Sequence, residues 1–264
     1  MTLPTPVALP ISRFDGPAGT PLVIAHGLFG QGRNFASIAK RLAERRPVAT
    51  LDMRNHGDAP HDDAMTYPAM AADLAAAIAA VGAPAVLLGH SMGGKAAMAL
   101  ALSRPDLLAG LVVADIAPVA YDHQEHGSIV AAMRALDLAA IDRRSTAERA
   151  LAAAISNPGI RAFIVQNLAV GGGAARWRPN LPVIEASMPA ILGFPADLPE
   201  PAFEGPTLFL HGGASDYVTP ACHGRIRALF PDAEITALAG AGHWLHAEQP
   251  GPFVETLETW LATL

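Results

Sequence analysis

The sequence is poor in cysteine, in charge and in long apolar runs, and each shortage excludes a class of protein. Cys222 is the single cysteine of the 264 residues, so an internal disulfide is excluded. Charged residues make up 16%, and the 18 lysines and arginines are scattered rather than gathered into a basic stripe, which argues against a nucleic-acid partner. The longest apolar run, Leu107 to Ala114, is far shorter than the ~20 residues of a membrane helix, so we expect no membrane span.

The start of the chain, MTLPTPVALP, has neither the charged region nor the apolar region of a secretory signal peptide. Together with the single cysteine, this predicts a cytoplasmic location. Hydrophobic residues make up 51% of the chain, which is enough to bury a large core and too much for a disordered protein. We therefore expect a compact globular protein.

Short apolar runs alternate with helical patterns along the chain. The apolar runs that predict strands are Val7 to Phe14, Pro21 to Ala25, Val48 to Leu51, Ala85 to Leu88, Leu111 to Ala114, Thr207 to Leu210 and Glu234 to Leu238. The segments of helical length are Phe35 to Arg45, Pro68 to Val81, Met92 to Ser103, His223 to Phe230 and Phe253 to Leu261. This alternation predicts an α/β fold with a doubly wound, mostly parallel sheet.

The alternation breaks between Pro118 and about Pro206, where the pattern indicates several helices and no clear strand. We expect a helical lid at residues 118–205, inserted into a core domain of residues 1–117 and 206–264. Six apolar side chains of this lid are candidates to face the site, although at helical spacing such residues more often form lid core: Ile129, Met133, Ile164, Trp177, Met188 and Ile191.

The sequence Gly89-His90-Ser91-Met92-Gly93 has the form GxSxG and lies between an apolar run and an alanine-rich helix. A nucleophile elbow requires that context, and its glycines leave room where the turn presses backbones together. Ser91 is therefore the candidate nucleophile. A helix beginning at Met92 directs its free N–H groups toward a developing oxyanion, so the Met92 N–H is the first candidate oxyanion donor.

A second oxyanion donor is expected in the loop His26-Gly27-Leu28-Phe29-Gly30, which follows the strand ending at Ala25. The Leu28 N–H is the first candidate and the Phe29 N–H the second. The His26 imidazole is interpreted as a structural brace of this loop.

His243 is the candidate general base, because it lies on a glycine-rich loop between the last apolar strand and the final helix. An imidazole with a pKa of ~6.5 can take the serine proton and return it to the leaving group near neutral pH. His246 is the nearest rival, three residues further along the chain.

Two aspartates fit the chain order of serine, acid and histidine. Asp216 lies in the loop after the strand Thr207 to Leu210, and Asp115 directly follows the strand Leu111 to Ala114. The residues alone leave the choice of the acid open.

A polar cluster at Asp52, Arg54, His56 and Asp58 contains residue types that bind metals. It follows a strand and includes a turn glycine, so we interpret it as a structural Asp–Arg brace of the loop. The sequence has no HExxH or CxxC spacing, and we expect neither a metal nor a cofactor.

The chain resembles the small esterase branch of the α/β-hydrolase superfamily, which includes bacterial short-chain esterases and mitochondrial abhydrolase-type relatives. The stretches that carry the resemblance are HGLFG at 26–30, DMRNHG at 52–57, GHSMGGKAAM at 89–98 with DIAP at 115–118, and AGHWLHAEQP at 241–250. It implies hydrolysis of small-molecule esters or thioesters of short to medium acyl chains through an acyl-serine. In that branch the aspartate of DIAP is the more constant, which favours Asp115, while Asp216 keeps the alternative open.

Two other classes of function fit the same motifs. One is a different reaction of the same triad, such as that of a lyase, a carbon–carbon bond hydrolase or a perhydrolase. The other is a non-catalytic ligand-binding protein on the same scaffold, which needs a cavity and no turnover.

Overall fold

A seven-stranded sheet forms the centre of the protein in the computed structural model, which describes residues 3–122, 125–195 and 202–264. In chain order the strands are β1 (Ile11–Phe14), β2 (Leu22–Ala25), β3 (Val48–Leu51), β4 (Ala85–His90), β5 (Leu108–Ala114), β6 (Leu168–Ala169), β7 (Arg176–Trp177), β8 (Thr207–Gly212) and β9 (Glu234–Leu238). The central sheet has the order β1-β3-β2-β4-β5-β8-β9, and β6 and β7 form a separate antiparallel pair. Within the central sheet β1 is antiparallel to β3, and the neighbouring pairs from β3 to β9 are parallel.

Each of the seven strands predicted from the sequence is present in this sheet; β3 and β9 have the predicted ends, and the other five have shifted ends. The largest shift is in β1, which begins at Ile11 and not at Val7. The Val7 N–H donates to Asp73 Oδ1 at 2.7 Å instead of to a neighbouring strand. Pro10 has no N–H to donate, so it is a poor strand residue.

Helices cover both faces of the sheet. In chain order they are α1 (Ala36–Leu42), α2 (Tyr67–Val81), α3 (Met92–Ser103), α4 (Glu125–Ala135), α5 (Arg144–Ala150), α6 (Pro158–Val165), α7 (Leu181–Ala186), α8 (Met188–Leu192), α9 (Pro220–Leu229), α10 (Leu245–Glu248) and α11 (Pro250–Leu261). Helices α2, α3 and α9 pack on one face, and α1 and α11 on the other. Among the described residues, none of these helices is long and apolar enough to cross a membrane.

Strand β4 shows why both faces need a helical layer. All six of its residues are buried. Leu87 packs with the helices of one face, whereas Val86 and Leu88 pack with those of the other. Side chains alternate between faces along a strand, so an uninterrupted apolar run requires cover on both sides. The predicted doubly wound, mostly parallel α/β sheet is confirmed.

The segment between β5 and β8 contains α4 to α8, as the helical pattern predicts. The expectation that it lacks a strand was wrong, because β6 and β7 pair there. Each strand has only two residues, too few for an alternating pattern to be recognised, and the connection contains Gly171 and Gly173 with φ of 92° and 126°. The division into a core and a lid at 118–205 stays a prediction, and its positions 123–124 and 196–201 lie outside the described residues.

Candidate active site

A strained turn between β4 and α3 holds Ser91. Its φ of 52° and ψ of −119° lie in a region that side-chain-bearing residues rarely adopt. The turn depends on the two flanking glycines: a Cβ at Gly89 would lie 2.2 Å from the backbone oxygen of Gly93, and a Cβ at Gly93 would lie 2.5 Å from that of His26. Ser91 is thereby fixed at the carboxyl end of the central strand and the start of a helix.

Ser91, His243 and Asp115 form a chain of hydrogen-bonded side chains. The His243 Nε2 atom lies 3.1 Å from Ser91 Oγ, and Nδ1 lies 2.7 Å from Asp115 Oδ2. The parallel sheet explains the meeting, because Ser91 follows β4, Asp115 follows β5 and the His243 loop follows β9. All three residues therefore lie at the same edge of the sheet.

Asp115 is fully buried, with hydrogen bonds to both carboxylate oxygens. Oδ1 accepts the Gly212 N–H at 2.8 Å, and Oδ2 accepts the Ser215 hydroxyl at 2.5 Å as well as the imidazole of His243. These donors replace the water that a buried carboxylate loses. Asp115 thus orients His243 and is itself held in place by the loop after β8.

The other candidate acid, Asp216, lies in that loop but not at His243. Its side chain is exposed, and in the described ranges no hydrogen bond or ion pair joins it to the imidazole. The preceding residue, Ser215, points inward to Asp115. Of the two candidate acids, Asp115 therefore contacts the imidazole of His243, and Asp216 lies at the surface.

Two further residues position His243, and the sequence analysis missed both. The Tyr217 ring stacks on the imidazole with ring centres 4.0 Å apart and planes at 20°. His90 Nε2 donates to the backbone oxygen of His243 at 2.8 Å, which joins the serine turn to the histidine loop. His90 is a variable position of GxSxG, so the motif gave no signal for this contact.

The two candidate oxyanion donors lie beside Ser91. Met92 is the first residue of α3, so its N–H has no acceptor within the helix. Leu28 lies in the loop after β2, and this loop comes so close that a Cβ at Gly27 would lie 3.0 Å from the Cβ of Ser91. Phe29, the next residue, has a φ of 60°. The roles of the Met92 and Leu28 N–H groups stay predictions.

His26 braces the loop, as its interpretation requires. Its Nδ1 donates to the Gly27 backbone oxygen at 2.7 Å, and its Nε2 accepts the Met53 N–H at 2.9 Å. Burial lowers the pKa of His26 to about 4, so the ring stays neutral near neutral pH. His26 therefore ties the Leu28 loop to the chain after β3.

Hydrogen bonds of the polar cluster after β3 brace the loop, and its arginine pairs with an aspartate outside the cluster. Asp52 accepts the backbone N–H groups of Gly32 and Asp58 at 2.7 Å and 2.8 Å. Arg54 is buried and binds Asp73 of α2 through two hydrogen bonds of 2.6 Å and 2.7 Å. The Asp–Arg pair thus joins the loop to α2, and no local pattern indicates a partner 19 residues away in the chain.

Two cavities meet at Ser91. The outer cavity has a volume of about 220 Å³, and its wall includes Ile129, Ile160, Phe163, Ile164, His243 and Trp244. The inner cavity has a volume of about 20 Å³, and its wall includes Tyr67, Met92, Lys95, Tyr121, Ile191 and Leu192. Leu28 and Ser91 line both cavities. The insertion between β5 and β8 supplies part of each wall.

The six apolar candidates of the insertion separate into two groups. Ile129 and Ile164 line the outer cavity, and Ile191 lines the inner one. The other three pack away from the cavities: Met133, Trp177 and Met188 belong to the core or pack against it. The Trp177 Nε1 donates to the backbone oxygen of Met133 at 2.9 Å, which fixes the tryptophan within the insertion.

Lys95 lies one helical turn after Ser91 and is 1% exposed. Its ammonium donates to the backbone oxygens of Leu192 and Gly193 at 2.8 Å and 2.6 Å, and lies 4.7 Å from the ring centre of Tyr121. Burial lowers its pKa to about 7. The sequence analysis missed this residue, although a lone charge in the apolar helix Met92–Ser103 was a signal that could have found it.

A family model places this architecture among known proteins. The model of the alpha/beta hydrolase family matches residues 22–256. The chain belongs to the α/β-hydrolase family.

Three of the most similar proteins are esterases or lipases by name, and each aligns over most of this α/β-hydrolase. The sn-1-specific diacylglycerol lipase ABHD11 of Mus musculus is 43% identical, over 97% of this chain and 86% of the relative. Esterase YbfF of Escherichia coli K12 is 37% identical, over 92% of this chain and 93% of the relative. A solved structure, a marine microorganism esterase, superposes with a TM-score of 0.92 at 37% identity, over 96% of this chain and 99% of the other.

Buried histidines are expected to make this α/β-hydrolase lose stability in acid. Burial lowers the pKa of His26 to about 4 and those of His56 and His246 to about 3, against ~6.5 in the unfolded chain. At a pH between the folded and the unfolded pKa values, the unfolded chain binds more protons than the folded protein. The free energy of unfolding is therefore highest, as far as these histidines affect it, above about pH 6.5. It decreases as the pH falls, by about 1.4 kcal/mol per pH unit for each histidine.

Urea unfolding between about pH 7 and about pH 4 measures this slope. The variant His246→Leu should lower this slope by the contribution of one histidine, whereas Ser145→Ala, at an exposed serine, should leave it unchanged. A free energy of unfolding that does not change over this range would contradict the prediction.

Proposed function

We propose that Ser91, His243 and Asp115 are the catalytic triad of a serine hydrolase that cleaves carboxylic esters. The single observation that carries the proposal is the chain of hydrogen bonds from Ser91 Oγ through His243 to Asp115, of 3.1 Å and 2.7 Å. The names of the full-length relatives, a lipase and two esterases, support the same reaction, and the protein is accordingly a carboxylic ester hydrolase. A ligand-binding protein on this scaffold would need the cavities but not this chain of side chains.

The first half of the reaction transfers the acyl group to the enzyme. His243 Nε2 takes the proton of Ser91 as the serine oxygen bonds to the ester carbonyl carbon. The carbonyl oxygen becomes negative and is stabilised by the N–H groups of Met92 and Leu28. As the carbon–oxygen bond to the alcohol breaks, His243 gives its proton to the departing alcohol, and an acyl-serine remains.

The second half releases the acid. Water takes the place of the alcohol, and His243 removes one of its protons as the oxygen attacks the acyl carbon. The bond to Ser91 breaks, and the serine oxygen regains its proton from His243. In both halves Asp115 accepts the Nδ1–H, which fixes the tautomer and stabilises the imidazolium.

Short to medium acyl esters are the expected substrates, because the two cavities at Ser91 are bounded. A panel of p-nitrophenyl esters of increasing acyl length, with acyl-CoA thioesters of the same lengths, tests this. We expect kcat/KM to be highest for short or medium chains and to fall for long ones. An optimum on long-chain triglyceride would contradict the expectation, and the thioester series would show whether that bond is also cleaved.

A cytoplasmic location and the lack of a nucleic-acid partner belong to the same proposal. Both rest on the composition, namely one cysteine and a net charge of −6 with scattered basic residues.

A further inference from the structure

The two cavities that meet at Ser91 differ in size and in the catalytic groups that line them. The outer cavity, of about 220 Å³, is lined by His243, whereas the described residues around the inner cavity, of about 20 Å³, include Met92 and not His243. The alcohol and the acyl group of an ester extend from the carbonyl carbon in different directions. The catalytic groups therefore assign each side to a cavity, on the basis of the triad proposed above.

The direction of proton transfer assigns the alcohol. His243 Nε2 must reach the alcohol oxygen to protonate it, so the alcohol has to extend into the cavity that His243 lines. The wall of that outer cavity is mostly apolar, and Phe163 and Trp244 contribute rings with centres 5.7 Å apart, although Asn34 and Glu125 also line it. It suits a large apolar alcohol group.

The position of the oxyanion donors assigns the acyl group. The carbonyl oxygen lies at the N–H groups of Met92 and Leu28, and the alcohol occupies the outer cavity. The acyl chain must therefore extend into the inner cavity. A cavity of about 10–15 Å³ on this measure holds one water molecule. The inner cavity therefore has room for only one or two methyl-sized groups beyond the carbonyl carbon, about the size of an acetyl or propionyl chain.

Hydrogen bonds hold the wall of the inner cavity in place, so the wall resists displacement by a longer acyl chain. Lys95 donates to the backbone oxygens of Leu192 and Gly193, at the end of α8. The Tyr67 hydroxyl donates to the backbone oxygen of Ile191 at 2.5 Å. These three hydrogen bonds join the core helices α2 and α3 to α8, so widening the cavity there would leave buried polar groups without partners.

We propose that the substrates are esters of acids with about two or three carbons and large apolar alcohols, and that Lys95 sets the limit on the acyl group. The inference rests on the proposed function and narrows it. Lys95 acts as a specificity-determining residue at the wall of the acyl cavity, and the large apolar cavity serves the alcohol.

A pair of isomeric esters tests the assignment. Hexyl acetate and ethyl hexanoate have the same composition and nearly the same polarity, and they differ only in which side of the ester bond carries the long chain. We expect kcat/KM for hexyl acetate to exceed that for ethyl hexanoate about tenfold or more, since each extra methylene that does not fit is costly. Equal rates, or a preference for ethyl hexanoate, would overturn the inference while the proposed esterase function stands. Hydrolysis of neither ester, nor of any other ester in the panel, would overturn the proposed function itself.

Variants of Lys95 test its part in the limit. Lys95→Ala shortens the side chain and removes its two hydrogen bonds to the wall, so it should raise the rate on ethyl hexanoate relative to ethyl acetate about tenfold. Lys95→Met removes the hydrogen bonds but keeps the length of the side chain, so it should raise this ratio less than Lys95→Ala does. Phe163→Ala, in the outer cavity, should change the preference among acetate esters of different alcohols and not the acyl preference. An unchanged acyl ratio in a folded Lys95→Ala enzyme would overturn the role of Lys95. If that variant does not fold, the isomer pair on the wild-type enzyme still decides the cavity assignment.

Discussion

Ser91→Ala is expected to lower kcat by a factor on the order of 10⁴ to 10⁶. The variant should also fail to react with a fluorophosphonate, because both reactions require the serine oxygen as nucleophile. Folding should be retained. The Ser91 side chain is small, and the hydrogen bond that the variant loses is the one to His243. The measurements are ester turnover, gel-based labelling and a thermal unfolding curve of the same preparation.

The matched control is Ser145→Ala, which removes a hydroxyl from an exposed serine of α5. This variant should be labelled and should turn over ester like the wild type. Retained hydrolysis by Ser91→Ala, at a rate that a contaminating wild-type trace cannot explain, would remove Ser91 from the mechanism.

Asp115→Asn is expected to lower kcat by about 10⁴-fold with little loss of structure. An asparagine side chain can still accept a hydrogen bond, but it lacks the negative charge that stabilises the imidazolium. If its amide nitrogen faces His243, it also favours the wrong tautomer. The Gly212 N–H and the Ser215 hydroxyl, which both donate to the carboxylate, hold this position in place.

Asp216→Asn is the matched partner of this variant, because it makes the same change in the loop that contains Ser215 but at an exposed side chain. Its kcat should stay within about twofold of the wild type, as surface substitutions rarely disturb a structure. Near wild-type activity of Asp115→Asn, combined with loss of activity in Asp216→Asn, would reverse the assignment. Activity that disappears only in the double variant would show that the two carboxylates replace each other.

The fold and the strained turn that holds Ser91 could be predicted from the sequence because their signals are local. The run Ala85 to Leu88 is apolar on both faces, and the glycines at 89 and 93 are needed where the turn leaves no space for a Cβ atom. Such constraints act between neighbours in the chain. These local constraints can therefore be recognised in the sequence without knowledge of which distant segments are in contact.

The acid could not be assigned from local pattern, because both aspartates follow sheet strands at the same edge. Long-range contacts distinguish the two aspartates: Asp115 accepts hydrogen bonds from the Gly212 N–H and the Ser215 hydroxyl of the loop after β8, whereas Asp216 of that loop is exposed. Resemblance to esterases favoured Asp115, but the physical reason lies in contacts about 100 residues apart in the chain.

Lys95 and the pair of strands in the insertion were missed for different reasons. Lys95 stands in an apolar helix, and its partners Leu192 and Gly193 lie in the insertion, so its burial depends on a segment that no local rule places. Strands β6 and β7 have two residues each, which is below the length at which alternation can be seen.

The most direct test of the central claim is to trap the acyl-enzyme. The protein is mixed with excess p-nitrophenyl acetate, quenched in acid during turnover and digested for peptide mass spectrometry. The account predicts a mass increase of one acetyl group on the peptide that contains Ser91, at a level that falls as substrate is exhausted. Turnover with no acetylated Ser91 peptide, or with the acetyl group on another residue, would contradict it.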